Sequence, residues 1–289
     1  MRCLVSGSTG LIGSSLVPYF QRQGHEIKRL VRRASTSPDE ATLESLSQPI
    51  DAVVHLAGES IIGRWNAEKK DAIRKSRIEG TRALVNALSK LSTPPRVLVS
   101  ASAIGFYGNR GSEWLTEESP PGNGFLPEVC QEWERAASEI SATGTRSAMT
   151  RFGIILSSKG GALKQMLTPF KIGVGGKIGS GNQYFSWISI DDAVRAIYHI
   201  VMTESLQGPV NLVTPTPVTN AEFTRILAKV LKRPAIFPMP KAAAKVAFGE
   251  MADELLLASA RVSPAKLLQS GYPYQYPELE GTFRHLLDQ

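Results

Sequence analysis

Three glycines at the amino terminus, Gly7, Gly10 and Gly13, constrain this chain more than any other feature. They follow a short apolar run, residues 2–6, and open a pattern of apolar residues at Ile12, Leu16, Tyr19 and Phe20 that has helical spacing. A strand, a glycine turn and a helix in that order predict the first βα unit of a nucleotide-binding sheet. Each glycine has a physical task. The first permits a tight turn, and the second lets the backbone approach a pyrophosphate. The third lets helix and strand pack closely, so that the helix amides point at the anion. Gly7, Ser8, Thr9, Gly10, Leu11, Ile12 and Gly13 are therefore the expected phosphate-binding residues.

Pro18 sits awkwardly inside that helix, since an interior proline loses a hydrogen bond and costs about 3 kcal/mol; a kink is expected there. Gly24 closes the helix, and residues 27–31 read as a second strand ending in Arg32 and Arg33. Arg32 lies nineteen residues after Gly13, where this type of fold reads the adenosine ribose. An acidic residue there would bond a free 2′-hydroxyl, whereas a guanidinium suits a 2′-phosphate. The expected cofactor is thus NADP in preference to NAD, against the plainer reading of a turn with two solvated arginines.

The unit recurs along the chain. Residues 51–58 form a third strand running into Gly58. Asn66 is placed to cap a long helix reaching about Leu91, with Ile73, Arg77, Gly80, Leu84 and Leu88 along one face. Pro94 and Pro95 stop it, and residues 96–100 form a fourth strand. Helix is expected over 40–46, 128–142 and 160–173, strand over 147–156, 186–190 and 210–213, and a glycine-rich loop over 173–182. Thr219 and Glu222 form a capping box, and the Ala-rich stretch 242–260 reads as one core helix. The expected fold is α/β, a doubly wound parallel sheet of Rossmann type with a smaller, mostly helical C-terminal subdomain. Residues 1–170 would form the nucleotide domain, joined by a strand and helix from about 186–213, and residues 171–289 an interleaved substrate or lid subdomain.

Charge supports a small anionic ligand. The 289 residues carry Lys+Arg 33 against Asp+Glu 26, a net +7, and residues 1–35 alone carry +5. No basic stripe interleaved with aromatics and no nucleic-acid module motif is present, so nucleic acid is not an expected partner. No apolar run reaches the ~18–20 residues of a membrane span. The first residues lack a secretory pattern, and Cys3 and Cys130 form neither a metal motif nor a disulfide framework. A cytoplasmic location is expected. The four histidines are scattered, so no metal is expected, and His55 reads as a satisfied core residue.

The motifs Gly7-Ser-Thr-Gly10-Leu-Ile-Gly13, His55-Leu-Ala-Gly58, Gly80-Thr81, Ser100-Ala-Ser102, Phe106-Tyr-Gly108 and Trp187-Ile-Ser-Ile-Asp191-Asp192 resemble, in order, the extended short-chain dehydrogenase/reductases. Ala57-Gly-Glu59, Ser76-Arg77-Ile-Glu-Gly-Thr81, Glu117-Glu-Ser-Pro120, Thr219-Asn-Ala-Glu-Phe223 and Glu250-Met-Ala-Asp-Glu-Leu255 resemble an atypical branch labelled the epimerase family. That branch is also labelled sugar-nucleotide epimerase or cell-division inhibitor. The resemblance places Val31 with Arg32 at the ribose, and Leu56, Ala57 and Gly58 beside the middle of the cofactor. It puts Arg77 on the helix face toward the cofactor, in place of an asparagine, and Gly153 near the nicotinamide. Ser100 belongs to the same set. A homodimer follows by analogy alone.

One departure matters. The family's acid–base pair, Tyr-x-x-x-Lys, should fall about twenty residues after Tyr107, and the sequence there has neither residue. None of the seven tyrosines has a lysine four residues on. Ser102 matches the family's catalytic serine, with a strand-end serine bonding local backbone as the equal alternative. Tyr107 and Glu59 are the remaining catalytic candidates, against a packed aromatic and a solvated loop carboxylate. Two functions remain. One is an NADP-dependent reductase or epimerase acting on a carbonyl, polyol or nucleotide-sugar substrate. The other is a non-catalytic NADP(H) sensor that kept the nucleotide site.

Overall fold

The computed structural model describes residues 1–30 and 49–288. Val31, Arg32, Arg33 and the expected 40–46 helix lie outside the described residues. Six strands form one parallel sheet: β1 (Arg2–Ser6), β2 (Glu26–Leu30), β3 (Ala52–His55), β4 (Val97–Ala103), β6 (Arg146–Phe152) and β10 (Gly208–Leu212). Their spatial order is β2-β1-β3-β4-β6-β10. β5 (Trp114–Leu115) lies outside this sheet and pairs with a late strand, β12 (Arg261–Val262).

Alternation along the strands explains why helices cover both faces. In β1, β3 and β4, Val5, Val54 and Val99 point to one side, where Leu16 and Phe20 of α1 (Leu11–Arg22) and Ile197 and Ile200 of α5 (Ile190–Met202) pack. Leu4, Val53 and Leu98 point to the other, against Leu84, Val85 and Leu88 of α2 (Ala67–Ser89). Strands apolar on both faces are the mark of a buried parallel sheet. Each fully buried Val or Leu stabilises the fold by roughly 1.5–3 kcal/mol.

Local signals act as their chemistry predicts. The Asn66 side chain accepts a hydrogen bond from the Lys69 amide at 2.8 Å and starts α2. Thr219 does the same for Glu222 at 3.2 Å, starting α6 (Asn220–Leu231). Pro18 does not break α1, which runs on to Arg22 with the proline exposed.

Two expectations are corrected. The strand expected over 147–156 breaks at Gly153 into β6 and β7 (Ile154–Leu156). A β-carbon on Gly153 would lie 2.5 Å from the Ser186 carbonyl oxygen, and its amide bonds the Leu212 carbonyl at 3.1 Å. The single core helix expected over 242–260 is instead α7 (Lys241–Phe248) and a π turn (Ala252–Leu256), and β12 follows at Arg261. Gly249, at φ +61°, turns the chain out of α7, and of that helix only Ala244 is buried. Alanine content gives helix propensity but says nothing about burial.

A second apolar cluster joins α4 (Gly161–Lys171), α6 and α9 (Leu279–Leu286) through Leu163, Phe170, Phe223, Leu227 and Phe283, with Trp187 beneath them. No helix among the described residues is long and apolar enough to cross a membrane.

Candidate functional site

In the sheet, β1 is flanked by β2 on one side and β3 on the other, so successive connections leave it in opposite directions. A crevice opens at the carboxyl ends of strands at such a switch point. The glycine turn lies in it. Gly7 adopts φ +67°, and a β-carbon there would meet the Leu56 carbonyl carbon at 2.7 Å and the Ala57 amide at 2.8 Å. One on Gly13 would lie 2.2 Å from the Gly7 carbonyl oxygen. The Gly10 amide closes the turn on that oxygen at 3.0 Å. Gly10 then caps α1 without a side-chain bond, so the first helix amides face outward from a cradle that side chains would fill. Ser8 is buried, whereas Thr9 and Gly10 are exposed and Leu11 and Ile12 half-buried.

The β3 loop is held by a polar chain. Ser6 Oγ accepts from the Leu56 and Ala57 amides at 3.2 and 3.4 Å, and pairs with His55 Nδ1 at 2.6 Å. His55 Nε2 meets Thr81 Oγ1 at 3.1 Å, and Trp133 Nε1 donates to the same oxygen at 3.0 Å. His55 is a buried scaffold, as expected for a core histidine. Arg77 lies beneath Gly58, where a β-carbon would sit 3.5 Å from its guanidinium carbon. It donates to the Glu59 carbonyl at 3.0 Å and stands 5.1 Å from the Trp133 ring. Burial lowers its pKa, and its contacts with Gly58, Glu59 and Trp133 make it a support of the loop at 57–59.

Ser100 is fully buried in mid-β4, beside His55 in register. Ser102, two residues on and nearer the crevice, is 3% exposed and donates its hydroxyl hydrogen to Glu134 Oε1 at 2.6 Å. Arg151, beside Ser102 in register on β6, grips the same carboxylate through Nε and Nη2, both at 2.8 Å. Burial works against the Arg151 charge, but its bonds to Glu134 more than offset it and raise the pKa. The guanidinium lies 3.5 Å from the Phe106 ring centre, and Nη1 donates to Tyr107 Oη at 2.9 Å. Tyr107 is fully buried and its hydroxyl faces Asn211 Oδ1 at 2.7 Å and the Thr116 carbonyl at 3.0 Å. Burial pushes its phenol up to about 12, so it keeps its proton at neutral pH.

Ser102 and Tyr107 are thus linked through Glu134 and Arg151, while Glu59 stands apart. Its carboxylate is exposed and bonds Lys69 at 2.7 Å, which lowers its pKa. The Tyr-x-x-x-Lys position falls on α3 (Phe125–Ser138), which presents Cys130 and Glu134 four residues apart. Burial pushes the Cys130 thiol up to about 12. Glu134 is the site residue that sequence reasoning missed. Its signal was an arginine in the middle of an apolar strand, because a buried guanidinium requires a carboxylate.

Comparison with known proteins agrees with this geometry. Residues 3–212 match the NAD dependent epimerase/dehydratase family, and residues 239–286 match a domain of unknown function, DUF1731. Epimerase family protein Mb2239 of Mycobacterium bovis is 38% identical over 281 residues, covering 94% of this chain and 93% of its own length. The crystal structure of human epimerase family protein SDR39U1 (isoform 2) with NADPH has a TM-score of 0.92 at 34% identity, covering 100% of both chains. A nucleoside-diphosphate sugar epimerase structure from Corynebacterium glutamicum gives 0.81 at 36% identity, covering 99% of this chain and 58% of that one. The glycine cradle, the strand order and the match across nearly three-quarters of the sequence converge: the chain belongs to the NAD dependent epimerase/dehydratase family.

Proposed function

We propose that the chain binds NADP(H) in the crevice at the carboxyl ends of β1, β3 and β4 and acts on a carbonyl, polyol or nucleotide-sugar substrate. The observation that carries this reading is the close approach of Gly13 to Gly7, which leaves the α1 amides open to a pyrophosphate. A human relative crystallised with NADPH supports the same cofactor. The preference for NADP over NAD rests on Arg32 and Arg33 in the sequence. When bound, the nicotinamide supplies or takes a hydride.

The chain's own part is to orient and bind. The Ser102 hydrogen is committed to Glu134, so its free lone pairs suit a substrate hydroxyl better than a carbonyl. The carboxylate behind it holds Ser102 in that orientation. The C-terminal region, 171–289, is assigned to substrate recognition. A second reading, an NADP(H) sensor without turnover, is favoured by the same hydrogen bond, because the serine proton is already spoken for and Tyr107 is buried.

Fluorescence titration with NADPH and NADH tests the cofactor. Arg32→Asp is expected to weaken NADPH far more than NADH, and equal loss of both overturns the phosphate assignment. Incubation with NADPH and a panel of carbonyls and nucleotide sugars, following nicotinamide absorbance and product, separates enzyme from sensor. Tight NADPH binding without turnover on the whole panel favours the sensor.

A further inference from the structure

A second basic feature lies far along the sequence from the glycine loop. Between Glu222 and Glu250 there are six cations, Arg225, Lys229, Lys232, Arg233, Lys241 and Lys245, and no carboxylate. Four of them, with Lys177 from across the way, line a groove of about 660 Å³ along the outer face of α6. The opposite face of that helix, Phe223, Leu227 and Val230, is buried in the second apolar cluster. The groove shares no residue with the crevice at the glycine turn.

Its apolar lining is Ala221, Ala228, Pro234, Ala235 and Ile236, with Ile236 72% exposed. Its wall is built in advance. The Phe237 amide bonds the Gly175 carbonyl at 3.3 Å, and the Met239 amide bonds the Lys177 carbonyl at 2.9 Å. Gly176 packs so tightly beneath this strap that a β-carbon would lie 2.0 Å from the Phe237 carbonyl oxygen.

The cations are not consumed by the fold. Lys229 pairs with Glu280 at 2.8 Å, but among the described residues no carboxylate pairs with Arg225, Lys232 or Arg233. A helix carboxyl end attracts cations and accounts for Lys229 and Lys232. It does not account for Arg225, two turns from that end, or for Lys177 on the facing loop. Lys232 also adopts φ 52°, a left-handed conformation that ordinarily falls to glycine or asparagine. Concentrated positive charge beside apolar side chains, along an open groove, suits an anionic ligand with an apolar part.

We propose that this groove is a second ligand site, for a phosphorylated small molecule with an apolar body. The phosphates meet Arg225, Lys232 and Arg233, and the body lies on Pro234, Ala235 and Ile236. The site is independent of the dinucleotide reading and stands if that reading fails.

Isothermal titration of the full chain, with NADPH at saturating concentration, uses adenosine diphosphate and inorganic pyrophosphate as probes. Adenosine diphosphate is expected to bind saturably and at least about fivefold more tightly than pyrophosphate, because the apolar lining holds the organic part. Arg225→Glu with Arg233→Glu is expected to weaken it at least about tenfold and leave NADPH binding unchanged. Both positions are exposed, so circular dichroism should show an intact fold. No saturable binding of either probe overturns the proposal, as does binding that the double variant leaves intact. Equal affinity for both probes overturns the role of the apolar lining. Capture by vesicles rich in phosphatidylserine, without either probe binding, would make the groove a membrane-docking face and overturn the assignment.

Discussion

Ser102 gives its hydroxyl hydrogen to a Glu134 oxygen 2.6 Å away, and that carboxylate is held from behind by Arg151. The serine at the edge of the crevice is thereby fixed as an acceptor, and its orientation depends on an ion pair whose side chains are 3% and 9% exposed.

That pair yields an asymmetric prediction. Glu134→Gln leaves a buried guanidinium without its counter-charge and should destabilise the protein by about 3–5 kcal/mol. Glu134→Leu combined with Arg151→Met removes both charges and should recover most of that loss. Urea denaturation of wild type, Glu134→Leu, Arg151→Met and the double variant measures it. Additive losses in the double variant would show that the pair is not energetically coupled.

Gly13→Ala is the steric test of the cradle. Its new methyl would lie 2.2 Å from the Gly7 carbonyl oxygen and 2.6 Å from the Ser8 Cα, both backbone atoms that cannot swing aside. The turn must open, so NADPH affinity is expected to fall at least about tenfold. Gly24→Ala is the control: it meets nothing within 4 Å, although its φ of +79° costs some stability. It should leave the affinity unchanged. Equal affinity of Gly13→Ala and wild type would remove the turn from the binding site.

How far the sequence announced this architecture depends on the range of the interaction. Asn66, Thr219 and the three glycines act on backbone within a few residues, and their outcome could be read directly. Glu134 and Arg151 are 17 positions apart, on a helix and a strand that meet only after the sheet forms. Arg151 could be flagged as a buried cation, but its partner could not be named. The 242–260 stretch failed for the opposite reason: its local signal was strong, yet Gly249 turned the chain and left α7 on the surface. Local reading leaves Tyr107 as either a catalytic phenol or a packed aromatic, because Asn211, 104 residues away, is invisible to it.

The two cysteines offer a probe of core integrity. Both are buried, and burial pushes the Cys3 and Cys130 thiols up to about 11 and about 12. A thiolate is the reactive form, so neither should react with Ellman's reagent in the native protein at about pH 8. Both should react after unfolding in guanidinium. Rapid release of one equivalent from the folded protein, lost in Cys130→Ala but not in Cys3→Ala, would mean that α3 opens easily around Cys130.

Those thiols and three phenols are expected to lower stability at alkaline pH. Cys3 and Cys130 start from 9.0, and Tyr107, Tyr272 and Tyr274 from 10.0; burial raises all five in the folded state. A group whose folded pKa is raised keeps its proton in the native state after the unfolded chain has lost it. The unfolded state then binds fewer protons, so stability falls as pH rises. The contribution is whole below about pH 9, where both states are protonated. It declines from there through the thiols and above pH 10 through the tyrosines. Tyr107 alone, raised to about 12, accounts for roughly 2–3 kcal/mol of that decline by pH 12. Urea midpoints measured from about pH 8 to 11 should therefore fall at an increasing rate, and Cys130→Ala should flatten the part that begins near pH 9. Phenolate absorbance should lag behind that of the urea-unfolded chain, and a midpoint that stays flat to pH 11 would show that these groups are hydrated in the native state.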